Sequence, residues 1–375
     1  MNKKLSVMWL GLRGFPDVQG GIEVHAEHIC PLLAELDCDV HVITRANYQP
    51  KAIGESWKNV HFHNLWSPPS RSLETIVHTF LGVLYAGFIK RPDVLHIQAI
   101  GPAFWTPLAR LLGLKVVMTT HGSDYDRQCW GRFAKWILQT GEFLGMRFSN
   151  GRIVISKGIQ QHNQNKYHVD CTLIPNGVTL PELPSSTDSL QAFGLQSEKY
   201  ILWVSRLVPE KRHLDLIEAF RLAALPDDWK LVFVGASDHP DAYAHSVLDA
   251  IKNTPNVVST GFQRGLALRE LYAHAHLFVL PSSHEGLSIA LLEALSYGLP
   301  VVASDIPANV EIELPEEHYF PLGDVTVLAE KIRDFTARPL TLAQREQRRA
   351  WVAKRYDWRD IAARTLAVYR KVLAR

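Results

Sequence analysis

Two carboxylates, Glu285 and Glu293, stand with seven residues between them across what reads as a strand-to-helix junction. The segment runs Ser282-Ser283-His284-Glu285-Gly286-Leu287-Ser288 and continues through Glu293 to Gly298-Leu299-Pro300. Before it, the apolar run Leu277-Phe278-Val279-Leu280 ends at Pro281, which predicts a buried strand, and a helix is expected from near Ser288. A helix start offers free amides and the positive end of the helix dipole, a natural seat for phosphate. Glu285 then lies in the loop. Glu293 sits about two turns further on, where a carboxylate can accept bonds from paired sugar hydroxyls, as an acidic side chain does for ribose in dinucleotide folds. The pattern would hold a nucleotide by its phosphates at the helix start and its sugar slightly deeper. Carboxylates at this spacing also line ordinary solvated helix faces, so the flanking residues must decide.

A second candidate lies upstream. Tyr200-Ile201-Leu202-Trp203-Val204 reads as a strand and runs into Ser205-Arg206-Leu207-Val208-Pro209-Glu210-Lys211-Arg212. Pro209 suits a first helical turn, so Arg206 and Lys211 flank a strand-to-helix loop and can converge on one anion. Arg offers a planar fork and Lys a mobile point charge, and together they can neutralise a diphosphate. An ordinary solvated loop would carry the same charges. In the front half, a strand over residues 5–10 leads into Gly11-Leu12-Arg13-Gly14-Phe15-Pro16-Asp17-Val18-Gln19-Gly20-Gly21, and an amphipathic helix is expected over residues 22–36. Strand, glycine loop and helix let a backbone approach a phosphate or sugar closely, although Gly-Gly alone is commonly a turn. The spacing is not GxGxxG, which argues against a nicotinamide site. His121 follows the strand read over 116–119, which places it at the carboxyl edge of a sheet, where ligands bind; a histidine there can also be a satisfied structural residue.

The elements that must position these residues alternate. Apolar strands are expected at 40–44, 94–98, 116–119 and 153–156, then at 200–204, 231–235 and 257–258, with helical stretches between. Such alternation predicts parallel sheets covered on both faces. The stretch Leu73–Lys90, apolar and ending in Lys90-Arg91, reads first as a buried helix and second as a surface for sugar rings or lipid headgroups. Residues 356–375 read as a helix whose apolar side is Trp358, Ile361, Leu366, Tyr369 and Leu373. The Pro-, Ser- and Thr-rich segment 181–189 suits a linker.

Length and composition set the frame. With 375 residues, 47% hydrophobic and 21% charged, the chain can bury two cores of ordinary size. A net charge of +2 argues against a nucleic-acid binder. Residues 1–184 carry 18 Lys and Arg against 14 Asp and Glu, and residues 185–375 carry 22 against 24, so the front half is the more basic. Cys30, Cys38, Cys129 and Cys171 show no metal-ligand spacing and are expected as reduced thiols. The longest uncharged run, Thr75 to Ile89, is fifteen residues, short of the ~18 of a membrane span. No secretory signal is read, and a cytoplasmic protein is expected.

The residues around the two carboxylates carry a resemblance. Glu285-Gly286-Leu287-Ser288, Leu291-Leu292-Glu293-Ala294 and the run from Gly298 to Ser304 resemble the signature of retaining glycosyltransferases of the glycogen-synthase-like and sucrose-synthase-like family, whose fold is GT-B. Gly20-Gly21, His121-Gly122, Pro175-Asn176-Gly177-Val178, and Ser205-Arg206-Leu207 with Glu210-Lys211 extend it over nearly the whole chain, in order. The front half, with Arg13-Gly14-Phe15-Pro16 and the aromatic and basic stretch from Arg127 to Trp136, looks most like transferases of bacterial O-antigen, capsule and exopolysaccharide synthesis.

By that resemblance the chain is an α/β protein of two facing Rossmann-like domains with the active site in the interdomain cleft. An acceptor-binding domain spans 1–184, a nucleotide-sugar donor-binding domain spans 185–355, and a helix at 356–375 crosses back to the first. His121, Arg206, Lys211 and Glu285 are the implied catalytic residues. Gly20, Gly21, Arg206, Lys211, Gly286, Leu287, Ser288 and Glu293 are the implied donor-binding residues. Arg206 and Lys211 replace a metal, so no cofactor is expected and the nucleoside-diphosphate sugar is a substrate. The implied reaction is a retaining, front-face hexosyl transfer to a glycan acceptor. A polyprenyl-linked acceptor and peripheral contact with the cytoplasmic face of the inner membrane are further expectations. Two rivals are an epimerase acting on a nucleotide-sugar with the same fold, which would convert donor with no acceptor present, and a non-catalytic nucleotide-sugar-binding subunit, against which the intact Arg206, Lys211, Glu285 and Glu293 count.

Overall fold

A computed structural model describes residues 4–49, 53–69, 73–122, 125, 131–237 and 240–375. The chain forms two units, Met1–Gly177 with Trp358–Arg375, and Val178–Asp357. Each is a parallel sheet between helices.

In the first unit the strands are β1 (Leu5–Leu10), β2 (Cys38–Arg45), β3 (Ser56–Trp57), β4 (Val60–Leu65), β5 (Val94–Gln98), β6 (Val116–Thr120), β7 (Gly151–Val154) and β8 (Thr172–Leu173). Among the described residues they order as β3-β4-β2-β1-β5-β6-β7-β8, parallel except for the β3–β4 pair. Side chains alternate across each strand, and both faces are apolar. Val7 and Trp9 of β1 join one core with Val42, Ile29, Leu33, Trp358, Ile361 and Tyr369. Met8 and Leu10 join the opposite core with Ile43, Val83, Leu95, Ile97 and Met118. The helices are α1 (Gly21–Glu35), α2 (Glu74–Tyr85), α3 (Thr106–Leu111), α4 (Arg132–Phe148) and α5 (Lys157–Tyr167), and the C-terminal helix Trp358–Leu373 packs against α1.

Three local expectations differ from the structure. The strand expected at 153–156 runs from Gly151 to Val154, because the Ser156 hydroxyl accepts from the Ile159 amide and caps α5. The helix over Leu73–Lys90 ends at Tyr85 in a wider turn over Ala86–Lys90, which leaves Phe88 and Ile89 63% and 67% exposed instead of buried. On the C-terminal helix, Trp358, Ile361, Leu366 and Tyr369 are buried, but Leu373 is 38% exposed. The buried line steps by three or four residues from Trp358 through Tyr369 to Val372, and Leu373 falls just past it.

The second unit orders its strands β9 (Tyr200–Val204), β10 (Lys230–Val234), β11 (Val257–Gly261), β12 (Leu277–Leu280), β13 (Val301–Ser304) and β14 (Tyr319–Phe320) as β11-β10-β9-β12-β13-β14, all parallel. Its helices are α6 (Asp188–Ala192), α7 (His213–Ala223), α8 (Ala242–Asn253), α9 (Gly265–Ala273), α10 (Ile289–Ser296), α11 (Pro307–Val310), α12 (Val325–Thr336) and α13 (Leu342–Arg355). In each sheet the strand order reverses beside the first strand, between β1 and β5 in one unit and between β9 and β12 in the other. Loops leaving such neighbours at their carboxyl ends diverge to opposite faces and open a crevice, which is where α/β sheets bind ligands.

Candidate functional sites at two strand-order reversals

In the second unit the reversal brings the loops after β9 and β12 together. The Ser283 amide donates to the Glu210 carbonyl at 2.8 Å, tying one loop to the other. Pro209–Lys211 form a single tight helical turn, and Lys211 Nζ lies 2.5 Å from Glu285 Oε1. Both side chains are largely shielded, 17% and 9% exposed, so this ion pair acts in a medium less screening than water. Ser288 caps α10: its hydroxyl accepts from the Leu291 amide at 3.4 Å. Leu287 and Ser288 are buried at the helix start, while Gly286, Arg206 and Glu293 are half-buried. Glu293 accepts from the phenol of Tyr272 at 2.9 Å, and the Tyr272 ring stacks on Tyr297 at 5.1 Å. Burial, and then the Glu293 carboxylate, push the Tyr272 phenol well up, so it stays a donor. A cation, a capped helix start and a held carboxylate thus stand on the loops and the helix beside one strand-order reversal, a set able to meet a sugar diphosphate.

In the first unit the reversal gathers different chemistry. Gly20 sits at φ +148, before the first residue of α1, and a Cβ there would meet Glu23 Oε2 and Arg13 Nη2 at 2.1 and 2.6 Å. Those two groups are already paired: Arg13 Nε lies 3.1 Å from Glu23 Oε1, and the Arg13 amide donates to the same oxygen. Burial raises the Glu23 carboxyl, but the charge and hydrogen bonds of Arg13 outweigh that and leave it below its usual value. Gly21 faces open space, so a ligand could meet the backbone there.

His121, just past β6, is half-buried, and its Nε2 lies 2.8 Å from Gln98 Oε1. The ring of His25 stands edge-on to it at 5.3 Å, and His25 Nδ1 reaches Asn176 Oδ1 at 3.1 Å. Trp358 packs edge-on to His25 and stacks on His28 at 5.3 Å. Burial lowers His121 to about 4 and His28 to about 4, and holds His25 well below the ordinary imidazole range. These rings are neutral at physiological pH.

Reading the sequence located the loops and their charges, but missed Tyr272, Gln98, His25 and the Arg13–Glu23 pair. Each acts across a strand or helix that spacing does not reveal. Residues 123–124 and 126–130, which include Cys129 and the start of the aromatic and basic stretch, lie outside the described residues. Cys30, Cys38 and Cys171 are free and buried. Among the described residues, no group of three or more His, Cys, Asp or Glu side chains is arranged to hold a metal ion, and no helix is long and apolar enough to cross a membrane.

Comparison with known proteins agrees with this division. Residues 187–358 match the family model of glycosyl transferases group 1, and residues 19–181 match that of glycosyltransferase family 4. An uncharacterized glycosyltransferase of Methanocaldococcus jannaschii is 24% identical over 379 residues, spanning 95% of each chain. Among solved structures, the sucrose-phosphate synthase of Thermosynechococcus elongatus superposes with a TM-score of 0.80 at 21% identity, over 99% of this chain and 100% of the other. Anabaena HepE in complex with UDP and glucose superposes with a TM-score of 0.78 at 18% identity, over 98% of this chain and 100% of that one.

Proposed function

As this chain belongs to the group 1 glycosyltransferases and has the GT-B fold of two Rossmann-like domains, we propose that it is a retaining hexosyltransferase that moves a sugar from a nucleoside diphosphate to a lipid-linked glycan in cell-surface polysaccharide synthesis. The observation that carries this reading is the crevice of the second unit, where Lys211, Glu285, the start of α10 and the Tyr272-held Glu293 are gathered. HepE was crystallised with UDP and glucose, which supports a nucleotide-sugar donor here.

In this reading Glu293 accepts bonds from the ribose hydroxyls. The amides of Gly286, Leu287 and Ser288 cradle a phosphate at the helix start. Arg206 and Lys211 neutralise the diphosphate as its bond to the anomeric carbon breaks. Without a donor, Glu285 compensates the charge of Lys211; with one, Lys211 turns its ammonium to the leaving phosphate and Glu285 faces the sugar. The leaving oxygen takes the proton of the acceptor hydroxyl as that hydroxyl bonds to the same face of the anomeric carbon, which retains its configuration. The basic pair supplies the charge that a metal would otherwise bring, so turnover is metal-independent. In the first unit, Gly20 and Gly21 let backbone approach phosphate and sugar, and His121 lies against the transferred sugar.

The lipid-linked acceptor is supported by α4. This helix exposes Phe133 and Trp136, 69% and 55% accessible and stacked at 6.0 Å, beside Arg132 and Lys135. Aromatic and cationic side chains on one exposed helix suit the boundary of an anionic bilayer. The test is transfer from a nucleoside-diphosphate hexose to extracted lipid-linked oligosaccharides in EDTA, with the anomeric configuration of the product read by NMR. Retention at undiminished rate is expected. An inverted product, or a rate lost in EDTA and restored by a divalent cation, contradicts the proposal.

A further inference from the structure

The reversal between β1 and β5 holds a buried amide that the proposed reaction does not use. Gln98 is the last residue of β5 and is wholly buried. It pairs in register with Thr119 of β6, two residues before His121. The chain leaving β1 passes directly over it: Gly11, at φ +105, would place a Cβ only 2.5 Å from the Gln98 carbonyl oxygen, so no larger residue fits. The one polar contact of the Gln98 side chain among the described residues is Oε1 to His121 Nε2 at 2.8 Å. Its amide nitrogen is buried without a partner. A side chain that leaves its own donor unmet while aiming its acceptor at a site histidine acts through that histidine.

A carbonyl oxygen only accepts, so the hydrogen between the two groups belongs to His121 Nε2. A neutral imidazole carries one N–H, and Nδ1 is then left as an acceptor. Burial holds His121 neutral, near a pKa of about 4. Among the described residues, the titratable groups facing it are His25 of α1 and His96 of β5, both also pushed well down by burial. We propose that Gln98 is a positioning residue that fixes His121 as the neutral ring protonated at Nε2, so that Nδ1 accepts from a hydroxyl of the transferred sugar and disfavours sugars carrying a carboxylate there. The selectivity rests on the reading that places His121 against the donor sugar. A hexose hydroxyl has a proton to give to that lone pair. A hexuronic carboxylate has none, and would set acceptor against acceptor in a shielded site.

The test uses the full chain labelled with nitrogen-15 in its histidines, with the His121 resonances assigned by their loss in His121→Asn. In the wild type from pH 5 to 8, Nε2 is expected to be protonated and Nδ1 bare. In Gln98→Glu, which keeps the shape but supplies a carboxylate, both nitrogens are expected to be protonated at pH 7. A wild-type ring protonated at Nδ1, or a ring unchanged by Gln98→Glu, overturns the role of Gln98. This arm needs no donor, so it stands apart from the reading of the reaction. Should Gln98→Glu not fold, Gln98→Met, with no acceptor to give, is expected to mix the two tautomers; an unmixed ring overturns the role equally. In the second arm, kcat/KM is compared for hexose and hexuronic-acid forms of the same nucleotide donor. Gln98→Glu is expected to shift the ratio toward the hexuronic acid by about tenfold or more, since an imidazolium can donate to a carboxylate. An unmoved ratio overturns the selectivity. A wild type that uses neither donor, with the tautomer as stated, overturns the reading of the reaction and with it the selectivity.

Discussion

The two sheets share a reversal of strand order beside their first strand, yet their carboxyl edges are opposite in character. The β9–β12 edge concentrates charge: Lys211 against Glu285, and Glu293 under a buried phenol. The β1–β5 edge is lined mainly by uncharged rings, with His121, His25 and His28 held neutral among Trp9 and Trp358, and the Arg13–Glu23 ion pair lies behind Gly20. One scaffold therefore yields two surfaces. The charged edge suits a diphosphate leaving group, and the neutral edge suits a hydroxyl-bearing sugar, where a fixed charge would mispair.

If the charged edge carries the leaving group, the largest effects follow from breaking it. Arg206→Ala and Lys211→Ala are each expected to lower kcat by about 10²–10³, equivalent to roughly 2.7–4 kcal/mol of lost transition-state stabilisation, with circular dichroism unchanged. Near-normal turnover in both would remove the distinction between the edges. The neutral, buried histidines of the first unit, within that edge and beyond it, should show themselves in acid. His28, His63 and His78, all in the first unit, have folded pKa values of about 4 against an ordinary 6.5, so the unfolded chain binds more protons than the native one between these values. Stability is complete above pH 6.5 and declines as the pH falls toward 4. The fully buried His78 alone accounts for about 1 kcal/mol per pH unit in that window. Thermal melts of wild type and His78→Gln between pH 7.5 and 4.5 should show the shallower fall in the variant, and parallel curves would contradict the cause. The smallest effect refines the charged edge. Tyr272→Phe removes one donor from Glu293 and is expected to raise the donor KM about three- to tenfold with kcat nearly constant. An unchanged KM would mean that the phenol does not position the carboxylate.

The same contrast separates what the sequence discloses from what it conceals. Strands such as Leu5–Leu10 and Leu277–Leu280 are buried on both faces, so their composition alone marks them. Ser288 is legible as a cap because capping is local. The charges of Arg206, Lys211 and Glu285 stand in loops between such strands and are legible for that reason. The contacts that tune them are not local. Tyr272 reaches Glu293 from 21 residues away, and Gln98 reaches His121 from 23, each across a neighbouring element. The exposure of Phe88, Ile89 and Leu373 also escaped the pattern, since an apolar residue at the end of a buried helix is indistinguishable in sequence from one inside it. Local chemistry was readable, whereas partner choice needed the fold.

In the proposed function the crevice beside α10 binds a nucleoside-diphosphate sugar through Glu293. This binding is tested most directly by thermal stabilisation with UDP-, GDP-, dTDP- and ADP-sugars in EDTA, for wild type and Glu293→Ala. A donor at a hundred times its dissociation constant stabilises the native state by about 2.7 kcal/mol. One base class is expected to shift the wild type and to leave Glu293→Ala where it was. No shift with any donor, or an equal shift in the variant, would contradict it.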